Sequence, residues 1–140
     1  MQSRTVAVGV VMLAALAPFS AQAADLRTGA VFLMTNQVDN AVIAYDRLAN
    51  GTLRFVGEFA TGGSGNPVAQ AGDHRTDPLA SQGSLVLSDD GRFLFAVNAG
   101  SNQISVFEVR KAGLRLVETQ GSGGKRPISV TARGNLLICA

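Results

Sequence analysis

SLVLSDDGRFLFAVNAGSNQISVFEV, residues 84–109, decides how the rest of the chain is read. It holds three short apolar runs, separated by Asp89-Asp90-Gly91 and Ala99-Gly100-Ser101-Asn102. Each run has the β-branched and aromatic content of a strand, and each gap has residues that tolerate a tight turn. In the first run Leu85 and Leu87 alternate with Ser84, Val86 and Ser88. The second, Phe93-Leu94-Phe95-Ala96-Val97, is apolar throughout, as a strand covered on both faces requires. In the third, Ile104 and Val106 alternate with Ser105 and Phe107. The pattern predicts an antiparallel meander.

Outward from that stretch the chain repeats itself. Val31–Gly63 matches Leu94–Gly124, with Asn36 on Asn98, Asn40 on Asn102 and Gly51 on Gly113. After a one-residue slip, Leu53-Arg54 falls on Leu114-Arg115, Val56 on Val117, and Gly62-Gly63 on Gly123-Gly124. A third copy opens with Ile128–Thr131 on Leu85–Ser88, and continues with Gly134 on Gly91 and Leu136–Ala140 on Phe93–Val97. Phe93 and Leu136 are 43 residues apart, inside the ~40–50 of one four-stranded propeller blade. Asn36 and Asn98 are 62 apart, and the excess lies in Gly62–Leu79, so one connection is enlarged.

Counted from the inside outward, the full unit reads Ser84–Ser88, Phe93–Asn98, Gln103–Val109 and Leu114–Thr119. The first copy lacks the innermost strand and has Val31–Asn36, Ala41–Asp46 and Leu53–Phe59. The expected fold class is all-β: β-propeller blades of four antiparallel strands, about two and a third of them, in an incomplete ring. The expected organisation is a partial propeller over 24–140, with a blade at 31–63, a long connection at 62–82, a blade at 84–121 and the start of another at 128–140. A blade buries both faces only against neighbours, and Ala140 falls inside an apolar run. The reading is therefore the N-terminal part of a longer propeller, with no robust activity expected of this piece alone.

Residues 1–23 read as an export leader. Arg4 supplies a positive start, Val6–Phe19 is an apolar run, and Ala21-Gln22-Ala23 has small-x-small cleavage character. The run is 14 residues, short of the ~20 that span a bilayer as a helix. The mature chain is expected to begin near Ala24, outside the cytoplasm and without a membrane span. Losing Arg4 takes the formal net charge from +2 to +1. The basic residues are scattered with no aromatic interleaving, which argues against a nucleic-acid partner. Cys139 is the only cysteine, so neither an internal disulfide nor a cysteine metal cage can form.

Ser88–Asn102, followed by Ile104-Ser105-Val106-Phe107, closely resembles the blade signature of the lactonase-type seven-bladed propellers, a family that includes 6-phosphogluconolactonase and 3-carboxymuconate cyclase. The resemblance covers Val31–Ala140 and implies a ring of ~300 residues or more. It also implies hydrolysis or formation of a sugar-type or carboxymuconate-type lactone without metal or nucleotide. Its blade signature consists of strand and turn residues, so it speaks to fold more than to activity. Members often carry Pro-x-His near the start of an inner strand, and Pro127-Ile128-Ser129 has Ser129 in place of that histidine.

Candidate chemistry gathers in the connections from the outer strand of one blade to the inner strand of the next. Gly62–Gln82, GGSGNPVAQAGDHRTDPLASQ, exceeds the ~12–15 residues beyond which an unstructured loop tends to be functional or disordered. It contains the only histidine, His74, between Asp73 and Arg75, with Asp77 nearby. His74 suits a general base toward water attacking a lactone carbonyl. Arg75 suits a bidentate contact to a substrate carboxylate or phosphate, and Asp73 or Asp77 would orient the imidazole. The plainer reading is a solvated turn.

Gln82, just before the inner strand, and Lys125 and Arg126, one blade on, are candidate ligand contacts at the channel mouth; each also reads as an ordinary loop side chain. Asp89-Asp90-Gly91 lacks the alternating ligands of a calcium loop and reads as a hairpin turn. Asp39-Asn40 and Ser101-Asn102 read as turns as well. Gly121–Lys125 is no phosphate loop, because Arg126 follows the lysine and a strand follows that. Two functions remain: a lactonase-like hydrolase acting on a small lactone or sugar acid, and a non-catalytic propeller binding a protein or glycan on the same face.

Overall fold

The computed structural model describes residues 27–67, 79 and 81–140. Residues 1–23, expected to be an export leader, therefore lie outside the described residues. Strands β1 (Arg27–Met34), β2 (Ala41–Leu48) and β3 (Leu53–Ala60) form the first antiparallel sheet, in that order. The second is β4 (Leu85–Leu87), β5 (Phe93–Asn98), β6 (Gln103–Arg110) and β7 (Gly113–Gly121). β8 (Val130–Arg133) and β9 (Leu136–Cys139) pair as a third. These are the meanders expected from the turn and strand signals, in three separate sheets.

The sheets are stacked, with the four-stranded one in the middle. Strand alternation divides its side chains between two cores. Leu94, Ala96, Phe107 and Leu114 pack with Phe32, Met34, Val42 and Phe59 of the first sheet. Phe95, Val97 and Ile104 pack with Leu79, Val130 and Cys139 on the opposite side. The unbroken apolar run at Phe93–Val97 is thus explained: both faces of β5 are covered. Phe107 and Leu94 are almost wholly buried, each contributing about 2 kcal/mol over leaving it in water.

The repeat extends to backbone irregularities. Pairing of β2 with β3 slips between Ala44 and Tyr45, leaving Val56 bulged, and pairing of β6 with β7 slips between Val106 and Phe107, leaving Val117 bulged. The matching of Val56 with Val117 is therefore a structural equivalence, a bulge at the same place in two blades. Gly113 marks a close approach between the first two sheets. It has φ 115°, and a Cβ there would overlap Phe59 Cζ of the neighbouring sheet.

Two details of the repeat alignment need correction. β8 begins at Val130, and Val130 opposes Cys139 as Leu85 opposes Ala96. Val130, and not Ile128, is the counterpart of Leu85; the Gly134-Asn135 turn is tighter than Ser88–Arg92, and the repeat closes up there. In the first blade Met34 opposes Val42, whereas Val97 opposes Ile104. That makes Thr35, and not Asn36, the counterpart of Asn98. Asn36 leaves the strand with φ 52°, a left-handed conformation that asparagine tolerates better than most residues.

A polar cluster is buried between the first two sheets. Asn40 Nδ2 donates to Asn98 Oδ1 at 2.9 Å and to Val97 O at 3.1 Å. The Thr61 hydroxyl reaches Asn98 Oδ1 at 2.7 Å, and Asn98 Nδ2 donates to Ser105 Oγ at 2.7 Å. The Ser105 hydroxyl donates to Thr61 O at 2.7 Å. All four residues are nearly inaccessible, so each bond replaces water that cannot enter. Near the other end of the same sheet, buried Asp46 pairs with Arg27 at 2.8 Å and Arg54 at 2.9 Å.

Candidate functional site

A meander brings its alternate connections to one edge of the stack. The turns β1–β2 and β5–β6 share that edge with the connections β3–β4 and β7–β8. Ser122 N donates to Asn102 O at 2.9 Å, as Thr61 N does to Asn40 O at 2.9 Å. The corner is therefore built identically in two successive blades. Gly62 and Gly123 begin it with φ 76° and 78°.

The described start of the long connection is stapled down on both sides. Gly65 N donates to Gln37 O at 2.8 Å, and the Asn36 side chain holds both the N–H and the carbonyl of Asn66. Ser64 O accepts from Gly100 N at 2.9 Å, and Ser64 N donates to Ser101 Oγ at 3.0 Å. A Cβ on Gly65 would lie 2.5 Å from Asn36 C. The chain passes between the two turns only because that position carries no side chain.

His74, Arg75 and Asp77, with Asp73, lie outside the described residues. Leu79 returns to the second core, 4% exposed. Ser81 Oγ accepts from Gly83 N at 3.1 Å, and exposed Gln82 stands between them. Gly83 O accepts from Val130 N at 2.8 Å, which sets the starts of the two inner strands against each other. Ser129, in place of the expected histidine, sits at this junction, and a Cβ on Gly83 would lie 3.0 Å from its Cβ.

Lys125 and Arg126 occupy the second corner. Arg126 N donates to Asn102 Oδ1 at 2.6 Å, and Arg126 holds φ 54°. A left-handed arginine is strained by about 1–2 kcal/mol, and such strain gathers at functional sites. Exposed Lys125 lines a hollow of about 360 Å³ with Ser122, Gly124, Pro127 and Cys139. Burial pushes the Cys139 thiol above the usual range, which keeps it protonated and poorly nucleophilic near neutral pH. A second hollow, about 560 Å³, lies on the first corner and is lined by Gly62, Gly63 and Ser64 with Asp39, Glu58 and Ser101. The two hollows thus differ in the sign of charge they present.

Residues 27–140 match the family described as lactonase, seven-bladed β-propeller. The chain belongs to that family. The crystal structure of a functionally unknown protein from Desulfotomaculum acetoxidans is similar, with TM-score 0.52 and 21% identity, over 69% of this chain and 26% of that one. At that identity the likeness speaks to fold, and this lactonase-family chain spans about a quarter of the length of that structure. No curated protein matches it.

The sequence reading of the Asp89-Asp90-Gly91 turn agrees with its geometry. Asp90 Oδ1 accepts from Ser88 Oγ at 2.7 Å and Arg92 N at 3.0 Å, closing a hairpin. No cluster of three or more metal-ligating side chains occurs among the described residues, and no helix among them is long and apolar enough to cross a membrane. Sequence reasoning missed the buried role of Asn40 and Asn98. Asparagine near a turn reads as turn chemistry, and nothing local reveals that Asn40 points into the next blade.

Proposed function

We propose that this chain is an arc of an exported propeller that hydrolyses a sugar-type or carboxymuconate-type lactone. The ligand face is the edge carrying Arg126, Lys125, Gln82 and the long connection. The observation that carries this reading is the strained Arg126 backbone, held by Asn102, on the edge shared with that connection in a lactonase-family fold. Lys125 and Arg126 would hold the carboxylate or phosphate of an acidic lactone, and Gln82 would hydrogen-bond its hydroxyls.

His74 would take a proton from water as the water oxygen adds to the lactone carbonyl. Collapse of the tetrahedral adduct breaks the ring C–O bond, and the departing alkoxide recovers the proton from the imidazolium. Asp77 or Asp73 would orient the imidazole, and Arg75 would give the substrate a second cationic contact. The closed ring is needed to complete the channel, so activity belongs to a protein that carries this arc within a full set of blades.

The test is lactone hydrolysis by such a protein, with His74→Ala and Arg126→Ala beside the parent. Loss of His74 should lower kcat by about 10²–10⁴-fold. Loss of Arg126 should act mainly on KM. Unchanged turnover removes His74 from the mechanism. Saturable ligand binding with no turnover of any lactone leaves the non-catalytic binding propeller instead. Export is checked by fractionation, with a mature N-terminus near Ala24.

A further inference from the structure

Basic residues that are scattered along the chain are sorted by the fold. In the first two sheets, taken with their hairpin turns, every basic side chain lies toward the edge opposite the long connection. Outer turns and strand ends there carry Arg27, Arg47, Arg54, Arg110, Lys111 and Arg115 against Asp46 and Glu108, an excess of four positive charges. The inner β4–β5 turn holds Asp89 and Asp90 against Arg92, so the excess belongs to the other strands. Toward the opposite edge stand Asp39, Glu58 and Glu118, with no basic side chain among the described residues of either sheet.

The ion pairs leave the excess in place. Asp46 opposes Arg54 across the first sheet as Glu108 opposes Arg115 across the second. In each blade one carboxylate is shared by two arginines. Asp46 holds Arg27 at 2.8 Å and Arg54 at 2.9 Å, and Glu108 holds Arg110 at 2.8 Å and Arg115 at 2.7 Å. Arg27 also donates from Nη1 to Lys111 O at 2.7 Å, which joins the two clusters across the blade boundary. Exposed Arg47 and Lys111 pair with no carboxylate among the described residues.

We propose that this edge adsorbs on an anionic phospholipid surface, leaving the edge with the long connection facing away from it. Charge complementarity names the partner's sign, and the placement of the charges favours a membrane. They stand at the ends of separate strands in two blades, where a plane of headgroups meets them together. All but Lys111 are arginines, whose planar forks match phosphate. The turn tips Ala49-Asn50 and Lys111-Ala112 carry no large apolar side chain, so contact stays at the headgroups and is sensitive to salt. The acidic side chains of the other edge fix the orientation, since a negative surface repels them.

Co-sedimentation of the 140-residue chain with vesicles tests this, using phosphatidylcholine alone and phosphatidylcholine mixed with phosphatidylglycerol. The apolar run Val6–Phe19 favours both vesicles alike, so the difference between them is the readout. The parent should bind the anionic vesicles more tightly, and rising salt should erase the difference. Arg47→Gln with Lys111→Gln should weaken binding to anionic vesicles about thirtyfold. Both side chains are exposed, so the fold is kept. Gln37→Glu with Val38→Glu lowers the net charge equally on the opposite edge and should change binding less than about twofold, because β2, of eight residues, spans about 26 Å against a screening length of ~8 Å. Equal binding to both vesicles, edge variants that bind like the parent, or a control that weakens as much as they do overturns the proposal. So does tighter binding to soluble polygalacturonate than to the anionic vesicles, which assigns the edge to an acidic polymer.

Discussion

Gly62–Asn66 and Gly123–Pro127 turn the same corner in successive blades, and their surroundings are opposite. Both start with a left-handed glycine, and both follow a residue whose N–H is held by an asparagine carbonyl. The first is then clamped between the β1–β2 and β5–β6 turns, where Gly65 leaves no room for a side chain. At the matching position of the second stands Arg126, strained, its backbone N–H donating to Asn102 Oδ1. One corner is walled in, and the other carries two cations, exposed Lys125 and half-buried Arg126. Strand geometry fixes where a corner lies, but neighbouring turns decide whether chemistry can occupy it.

Exchanging the corners is the harshest way to break that contrast. Gly65→Arg should destabilise the fold by about 3–5 kcal/mol, because its Cβ meets backbone that cannot yield. Urea denaturation measures it, and a loss below about 1 kcal/mol would mean the first corner is as open as the second. Asn98→Ala comes next. It strips partners from Asn40, Thr61 and Ser105 in a dry interface and should cost about 2–3 kcal/mol by the same measurement.

Arg126→Gly sharpens the contrast from the other side. Relief of the left-handed strain, partly offset by a freer unfolded chain, should stabilise by about 0.5 kcal/mol. The same change should weaken anionic-ligand binding in a complete ring, so stability and affinity move in opposite directions. The smallest effect is a control on the far edge. Hydrogen bonds from Ser88 Oγ and then Arg92 N hold the Asp90 carboxyl below its usual range. Its contribution is present above the ordinary carboxylate pKa and fades as pH falls through the lower folded value. Melts of the parent and Asp90→Asn should therefore converge in acid.

Much of this architecture was legible in the chain because its signals are local and repeated. Apolar alternation in Leu85–Leu87 and Gln103–Val109, the unbroken run at Phe93–Val97, and turn residues at fixed offsets each report a single strand or hairpin. Their recurrence reports the blade. The slips came where a turn changed length, at Gly134-Asn135 and Thr35-Asn36, since a shorter turn shifts the register without changing residue character. Asn40 was placed in its turn, yet its amide bonds across to β5, a partner 58 residues away.

By itself, then, the amino-acid order determined strands, turns, the repeating unit and the family, all of which rest on near-neighbour periodicity. Only the tertiary structure decided which asparagines lock two blades together, which glycine is walled in, and that Arg126 is held in a strained backbone. Those outcomes depend on what packs against each residue from another sheet, and two residues of the same type differ only in that company.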